Sequence, residues 1–480
     1  MDMERLSGPD ALMLNMETRT TPMHTLKIAV IDTSRRGAPV TLDELVDVLP
    51  RYLGRFPRAT QHLERLPAYQ ARPFWVRDKD FDVRNHLDEV TLSAPGGRAE
   101  LDAVLAALAV KQLDRHRPLW ALTLVHGVTG GRQAVVVRVH HAVADGLAAL
   151  NTFMGATSEE GGVIEPAPID PTSAPADRRV LGKMARAESG RLFRAIPGMV
   201  GGFARAAKIK SNTPTLPKPL TVPRNSFNTP SGAVRVCASG EIPLAAVQKI
   251  AVATETTVNG ALHGVIAGAM RAELLSRGED PGAQVSVFGV CKDITSPRTW
   301  GNEIATAAAY LRADLDDPVE RVKETATSCG EAVAYRRQVG FELTEKTSAY
   351  TGRLGPVFRI LAAHRMPRVM NNITTANMPG PKKTRWVGDI EVVDWVSFAL
   401  AIAPADVNLT AYSYAGRITM GLVSTPESMP DPHSFLERVH DSLNEVSRAL
   451  GLPESPRRDW LDTAWLAGTG SDGRKVEEKH

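Results

Sequence analysis

Val139-His140-His141-Ala142-Val143-Ala144-Asp145-Gly146 is the stretch whose reading decides the fold. It follows the apolar run Ala134 to Val139 and precedes the Ala/Leu-rich run Leu147 to Leu150, so it predicts a strand that ends, a short loop and a helix that begins. If strand alternation persists to its end, the side chains of His140 and His141 point to opposite faces, so that one packs and the other reaches a cleft. An imidazole with an ordinary pKa of about 6.5 is largely neutral at pH 7 and can take a proton from an attacking hydroxyl, worth on the order of 10² to 10⁴ in rate. Asp145, just before Gly146, suits a helix N-cap or a charge partner that fixes the loop; direct proton transfer is its other reading. An isolated His pair reads as two half-buried residues of no special role, but an Asp and a Gly at fixed offsets make chance a poor account of this one.

Outward from this motif the patterns alternate. Leu26 to Ile31 reads as a strand. Thr41-Leu42-Asp43-Glu44 has the form of a capping box, with Leu45, Val48 and Leu49 following at helical spacing. Leu101, Val104, Leu105 and Leu108 trace one face of a helix over Ala99 to Leu113, and Leu122 to Val125 pairs with Ala134 to Val139 across the turn signal Thr129-Gly130-Gly131. Further on, Pro243 opens a helix, Val258 to Leu275 is a longer Gly/Ala-rich helix, and Ser434 to Leu450 is a last one stopped by Gly451 and Pro453. Strands are expected at Val285 to Val290, Ile304 to Leu311, Ile390 to Phe398, Leu409 to Tyr414 and Ile418 to Val423, the last two joined at Ala415-Gly416. The expected class is mixed α/β.

The chain has 480 residues, 43% of them hydrophobic and 23% charged, which is ordinary globular usage and long enough for two large lobes. Lys plus Arg, 57, against Asp plus Glu, 54, leaves +3, too balanced for a dedicated nucleic-acid binder. Cys237, Cys291 and Cys329 are scattered and lack metal-ligand spacing, so no metal site is expected and a reducing cytosol fits best. The N-terminus lacks the regions of a signal peptide, and no uncharged apolar run reaches the roughly 18 residues that cross a bilayer.

Composition divides the chain into a lobe over 1–158, a Pro-rich linker over 159–230, a second lobe over 231–455 and a polar tail over 456–480 expected to be disordered from Gly468. Within the linker, Arg178 to Lys210 holds nine Lys or Arg against Glu188 alone. With Leu181, Met184, Leu192, Phe193 and Ile196 it reads as a basic amphipathic helix interrupted at Pro197-Gly198, either resting on an anionic lipid surface or bridging the lobes as a solvated helix.

His140-His141-x-x-x-Asp145-Gly146 matches the HHxxxDG motif of CoA-dependent acyltransferases with the chloramphenicol acetyltransferase-like fold. Leu6-Ser7-Gly8-Pro9-Asp10-Ala11, Pro22-Met23-His24, Ala94 to Leu101 and Arg117-Pro118-Leu119-Trp120 narrow the resemblance to the bacterial wax ester synthase/acyl-CoA:diacylglycerol acyltransferase family. Gly301-Asn302, Asn377-Met378-Pro379-Gly380-Pro381, Asn408-Leu409-Thr410 and Tyr414-Ala415-Gly416-Arg417 follow in the order that family shows. The resemblance spans about Leu6 to Leu450.

It implies two chloramphenicol acetyltransferase-like lobes, with mixed sheets, flanking helices and an active-site tunnel at their interface. It implies His141 as general base, with His140, Asp145 and Gly146 shaping its loop. Asn259 falls where the family has an Asn-Asp pair, but Gly260 follows and removes a carboxylate; Asn259 is the candidate oxyanion donor. Val290-Cys291-Lys292-Asp293 stands where relatives carry a Leu-Arg pair, a change in local packing or substrate contact. Asn377, Pro379, Gly380 and Pro381 form a tight turn that either shapes a loop or lets CoA approach, and Trp120 is a packing element before it is a substrate contact. His24, His116 and His263 lack comparable context. The implied reaction needs no bound cofactor: a long-chain acyl-CoA is co-substrate, and diacylglycerol or a fatty alcohol is acceptor. The expected location is cytoplasmic, peripheral at the inner membrane or lipid inclusions. The rivals are an HHxxxDG transferase with another acceptor and a decayed lipid-droplet binding protein, the latter suggested by Gly260.

Overall fold

A computed structural model describes residues 3–65, 72–170, 178–213, 215–218, 222–229, 232–354, 370–402 and 405–457. The polar tail from Gly468 and the linker prolines 171, 175, 214 and 230 lie outside the described residues. In chain order the first half holds β1 (Met3–Arg5), α1 (Gly8–Met16), β2 (His24–Asp32), α2 (Leu42–Val48), β3 (Gln61–Glu64), β4 (Phe74–Arg77), β5 (Leu87–Thr91), α3 (Arg98–Val110), β6 (Trp120–Val128), β7 (Arg132–His140) and α4 (Gly146–Ala156). After α5 (Arg178–Ser211) come β8 (Val236–Pro243), α6 (Leu244–Ala253), α7 (Val258–Ser276), β9 (Gln284–Cys291), β10 (Ile304–Leu311), α8 (Pro318–Val339) and α9 (Phe341–Leu354). The chain then adds β11 (Ile373–Met378), β12 (Arg385–Val387), β13 (Ile390–Phe398), β14 (Asn408–Tyr414), β15 (Arg417–Ser424) and α10 (Pro432–Ala449).

Two six-stranded mixed sheets carry the molecule, in the orders β12-β13-β2-β7-β6-β5 and β10-β9-β11-β14-β15-β8. In the first, β2 pairs antiparallel with β7 so that His24 faces His140 across the ladder. Alternation along β2 divides its neighbours: Leu26, Ile28 and Val30 pack with Leu101 and Leu105 of α3, while Ala29 and Ile31 join Leu147, Leu150, Trp395 and Tyr412 on the other face. β12 and β13 come from the second half of the sequence yet pair within the first sheet, β13 directly on β2. Sequence position therefore puts 385–398 in the second lobe, whereas hydrogen bonding puts them in the first.

The second sheet is built around α7, which is apolar on nearly all sides and correspondingly buried, with Val265, Ile266 and Met270 packed among Leu409, Ile418 and Phe435. Gly260, Gly264 and Gly268 recur every four residues on it, one face of the helix. A Cβ at Gly264 would lie 2.6 Å from the Val322 Cα, and one at Gly260 2.6 Å from the Ala326 Cβ. α8 thus rests against the bare backbone of α7, and an aspartate at position 260 would displace it.

α5 runs unbroken through Pro197, so the expected interruption does not occur. A mid-helix proline sacrifices one hydrogen bond and costs about 3 kcal/mol, but tertiary anchoring offsets this. Leu181 is buried with Phe74 and Val76, Ala206 is buried, and Gly202 lies against Leu343 of α9.

The sheets meet where β15 crosses β13. Thr419 Oγ1 donates to the Trp395 carbonyl at 2.7 Å and Arg417 Nη2 to the Val393 carbonyl at 2.7 Å. At Gly421 a Cβ would lie 2.3 Å from the Ser397 carbonyl oxygen, backbone that cannot yield without moving a strand. Gly421→Ala is expected to destabilise the fold by about 1–3 kcal/mol through overpacking, read as a lower denaturation midpoint at unchanged m-value in urea.

Candidate active site at the lobe interface

The His-His loop forms because β7 runs out of ladder partners at His140 while α4 begins at Gly146 with Asp145 as its N-cap. Asp145 Oδ1 accepts from Ala148 N at 3.0 Å. Its Oδ2 accepts from Arg298 Nη2 at 2.5 Å and from Glu303 N at 3.0 Å. The carboxylate, 1% exposed, is thereby engaged by a helix terminus, a guanidinium and a backbone amide, the geometry of a structural anchor.

Arg298 ties the second half of the chain to this loop, since Nη1 also donates to the Gly301 carbonyl at 2.7 Å. Gly301 N donates to the Val143 carbonyl at 2.6 Å, and Asn302 Nδ2 donates to the His141 carbonyl at 2.6 Å. Asn302 in turn gives its N and Nδ2 to Asp10 Oδ1 of α1, at 2.9 and 2.7 Å. Burial pushes the Asp10 carboxyl up to about 6 against the pull of these hydrogen bonds. Ser7 caps α1 by accepting from Asp10 N, so the N-terminal Leu6 to Ala11 motif and Gly301-Asn302 meet behind the His141 loop.

The two histidines part as strand alternation requires. His140 is fully buried; its Nδ1 accepts from Ala142 N at 3.0 Å, and Nε2 lies 3.8 Å from Glu17. Burial, then the nearby Arg115, holds it far below the ordinary imidazole range. His141, by contrast, keeps accessible surface. Its Nδ1 is sealed off without a hydrogen-bond partner, so among the described residues Nε2 is the ring nitrogen that is both reachable and unengaged. Burial lowers its pKa, Asp145 opposes this, and Lys27 adds to the lowering, so the ring is neutral and able to accept a proton at pH 7.

Gly146 packs against the second sheet: the Tyr412 hydroxyl donates to its carbonyl at 3.1 Å, and a Cβ there would lie 2.8 Å from that hydroxyl oxygen. Asn259 and Asn377 come together, with Asn377 Nδ2 donating to Asn259 Oδ1 at 3.3 Å where α7 begins and β11 ends. This pair hydrogen-bonds to none of the His-His loop residues. Pro379, Gly380 and Pro381 turn against the β14–β15 hairpin: Gly380 N donates to Ser413 Oγ at 2.8 Å, Ala415 N donates to the Pro381 carbonyl at 3.0 Å, and a Cβ at Gly380 would lie 2.0 Å from the Ser413 carbonyl. That turn shapes the second lobe. Trp120 opens β6, stacks on His86 at 4.5 Å and donates from Nε1 to the Ala59 carbonyl at 2.9 Å, a packed element at the edge of the first lobe. The best-defined surface clefts lie near Trp120 and near Arg235, and neither includes His141.

His263 is a satisfied core residue: Nε2 bonds Thr375 Oγ1 at 2.8 Å, which is itself 2.8 Å from Ser286 Oγ. Sequence reading missed Arg298, Asn302, Asp10 and Lys27 as site residues. For Lys27 a signal existed, a lysine within the otherwise apolar run Leu26 to Ile31. For Arg298, in a loop of turn residues, there was none.

The wax ester synthase/diacylglycerol acyltransferase catalytic domain matches residues 6–262, and the C-terminal domain of the same family matches 300–447. A Mycobacterium tuberculosis (strain H37Rv) protein bearing the name diacylglycerol O-acyltransferase is 29% identical over 460 residues, 94% of this chain and 97% of that one. Among solved structures, the wax ester synthase/diacylglycerol acyltransferase from Marinobacter aquaeolei VT8 superposes with a TM-score of 0.67 at 21% identity, covering 94% of this chain and all of that one. The first condensation domain of the calcium-dependent antibiotic synthetase superposes at 0.58 with 14% identity over 95% and 98% of the two chains, which extends the shared fold alone.

Removing the guanidinium leaves a buried carboxylate without its counter-charge. Arg298→Met is expected to cost about 3–5 kcal/mol, with Asp145→Asn added to it restoring part of the loss. Thermal unfolding of the single and double variants checks this.

Proposed function

The chain belongs to the wax ester synthase/diacylglycerol acyltransferase family and is an acyl-CoA-dependent O-acyltransferase; we propose that it moves a long-chain acyl group to the hydroxyl of diacylglycerol or a fatty alcohol, with His141 as general base. The observation that carries this reading is a neutral imidazole at the end of β7 whose Nε2 makes no hydrogen bond among the described residues. Nε2 takes the acceptor's hydroxyl proton as the oxygen attacks the thioester carbon. The tetrahedral intermediate then expels the thiolate of CoA, which receives the proton back from the imidazolium. His140, Asp145 and the Asn302–Asp10 pair hold the loop so that Nε2 keeps one direction, and enclosure keeps water from hydrolysing the thioester.

A decayed, merely lipid-binding copy is the competing reading, and Gly260 was its motive. The 2.6 Å approach of Ala326 gives that glycine a helix-packing reason of its own. With radiolabelled palmitoyl-CoA and either dioleoylglycerol or hexadecanol, thin-layer chromatography is expected to show neutral ester from wild type and a drop of about 10²- to 10⁴-fold in His141→Ala. Equal turnover by the two proteins would favour the lipid-binding copy.

For a membrane or lipid-inclusion surface, the support is α5. Val200, 64% exposed, and Phe203, 51% exposed, lie within two turns of Ile196 on a helix that also exposes Met184, Arg191, Arg194 and Lys208. Each basic group near an anionic surface is worth about 1 kcal/mol. No helix among the described residues is long and apolar enough to cross a bilayer. Sedimentation with phosphatidylglycerol vesicles is expected to weaken with salt and with Phe203→Asp, while turnover on detergent-dispersed substrate stays at the wild-type level. Undiminished sedimentation of that variant would leave α5 a solvated bridge.

A further inference from the structure

Lys27 stands in the middle of β2, on the face that looks across to the second sheet. Its directly opposed partner on β13 is Ser397, whose Oγ lies 2.5 Å from Nζ, and the ammonium sits 5.6 Å from the centre of the Tyr412 ring. Tyr412 in turn holds the Gly146 carbonyl at the start of α4. Among the described residues no carboxylate comes within ion-pair distance of Nζ; Asp145 acts on it only through space, its own oxygens being engaged by Arg298, Glu303 and Ala148. An ammonium carries three donors, and one is used.

A buried cation without a paired anion is costly, and strands do not keep one for stability. Lys27 retains accessible surface, as His141 does, and the Tyr412 ring beside its Nζ holds the first residue of α4, so the ammonium stands in the space beside the His-His loop. The proposed reaction creates an anion in that space: when Nε2 of His141 takes the hydroxyl proton and the oxygen attacks, the carbonyl π pair moves onto the thioester oxygen. The imidazolium faces Asp145, whereas the oxyanion needs donors of its own. Asn259, the candidate for that role on sequence grounds, has its Oδ1 held by Asn377 and makes no hydrogen bond to the loop.

Resting on the acyl-transfer reading, we propose that the Lys27 ammonium is the charged donor that holds the oxyanion of the tetrahedral intermediate opposite His141. The proton and electron count is complete without further reactants: the oxyanion pair re-forms the carbonyl, the C–S bond breaks, and the thiolate takes the proton from the imidazolium. Ser397 fixes Nζ in place beside the Tyr412 ring.

The test uses the full-length protein with palmitoyl-CoA and each acceptor in turn. Lys27→Met, close in length and apolar, is expected to lower kcat by about 10²- to 10³-fold with KM for palmitoyl-CoA within about threefold, and to unfold no earlier than wild type because an unpaired charge has been removed. The wild-type enzyme is also expected to lose kcat as pH rises through the region around 7, because burial brings the Lys27 ammonium down to about 7 and only its charged form serves. Asp145, His141 and Tyr412 also face it; burial holds the imidazole low and pushes the phenol up, so neither of these two shares that limb. Lys27→Arg is expected to keep measurable turnover and lose the alkaline limb. A Lys27→Met enzyme with kcat within about twofold of wild type, a loss confined to KM, or an unchanged alkaline limb would each overturn the assignment. His141→Ala run alongside separates the two claims, since full activity there defeats the acyl-transfer reading itself.

Discussion

One ion pair holds the site together. Asp145 and Arg298 meet at 2.5 Å with side chains 0% and 11% exposed, and they come from opposite halves of the chain. Inside protein such a pair contributes less through its attraction than through the penalty for breaking it, because either partner alone is a buried, uncompensated charge. The contact therefore sets the position of one lobe on the other and makes that position all-or-none. Around it the Gly301–Val143 and Asn302–His141 hydrogen bonds fix the backbone of the motif, so the reach of the His141 ring is decided by residues 150 positions away in sequence.

Charged groups at this interface divide by what faces them. Asp145 is saturated, Asp10 is buried with two donors from Asn302, and His140 is a neutral core residue. Among the described residues His141 Nδ1 has no hydrogen-bond partner and Lys27 Nζ has one, Ser397.

Glycines do the complementary steric work. Gly421 lets β15 of the second sheet lie on β13 of the first, and Gly260 with Gly264 lets α8 lie on α7. Gly260, read against relatives as a missing carboxylate, is in this chain a packing requirement. The same residue thus carries opposite functional implications in one dimension and in three.

Much of this was legible in the sequence, for local reasons. Strands such as Leu26 to Ile31 and the capping box at Thr41 depend on neighbours within a few residues, so period and capping chemistry predict them, and the observed elements agree to within a few positions. Asp145 as a cap was equally local. Pro197 was misjudged because a propensity rule was applied to a helix that packing at Leu181, Gly202 and Ala206 holds straight. The sequence by itself determined the alternation of strands and helices and that the two histidines would part. Tertiary structure alone decided that β13 would cross to the first sheet, that Arg298 would meet Asp145 and that Lys27 would lie unpaired beside the site, because long-range contacts depend on how whole sheets fit and leave no period in the chain to read.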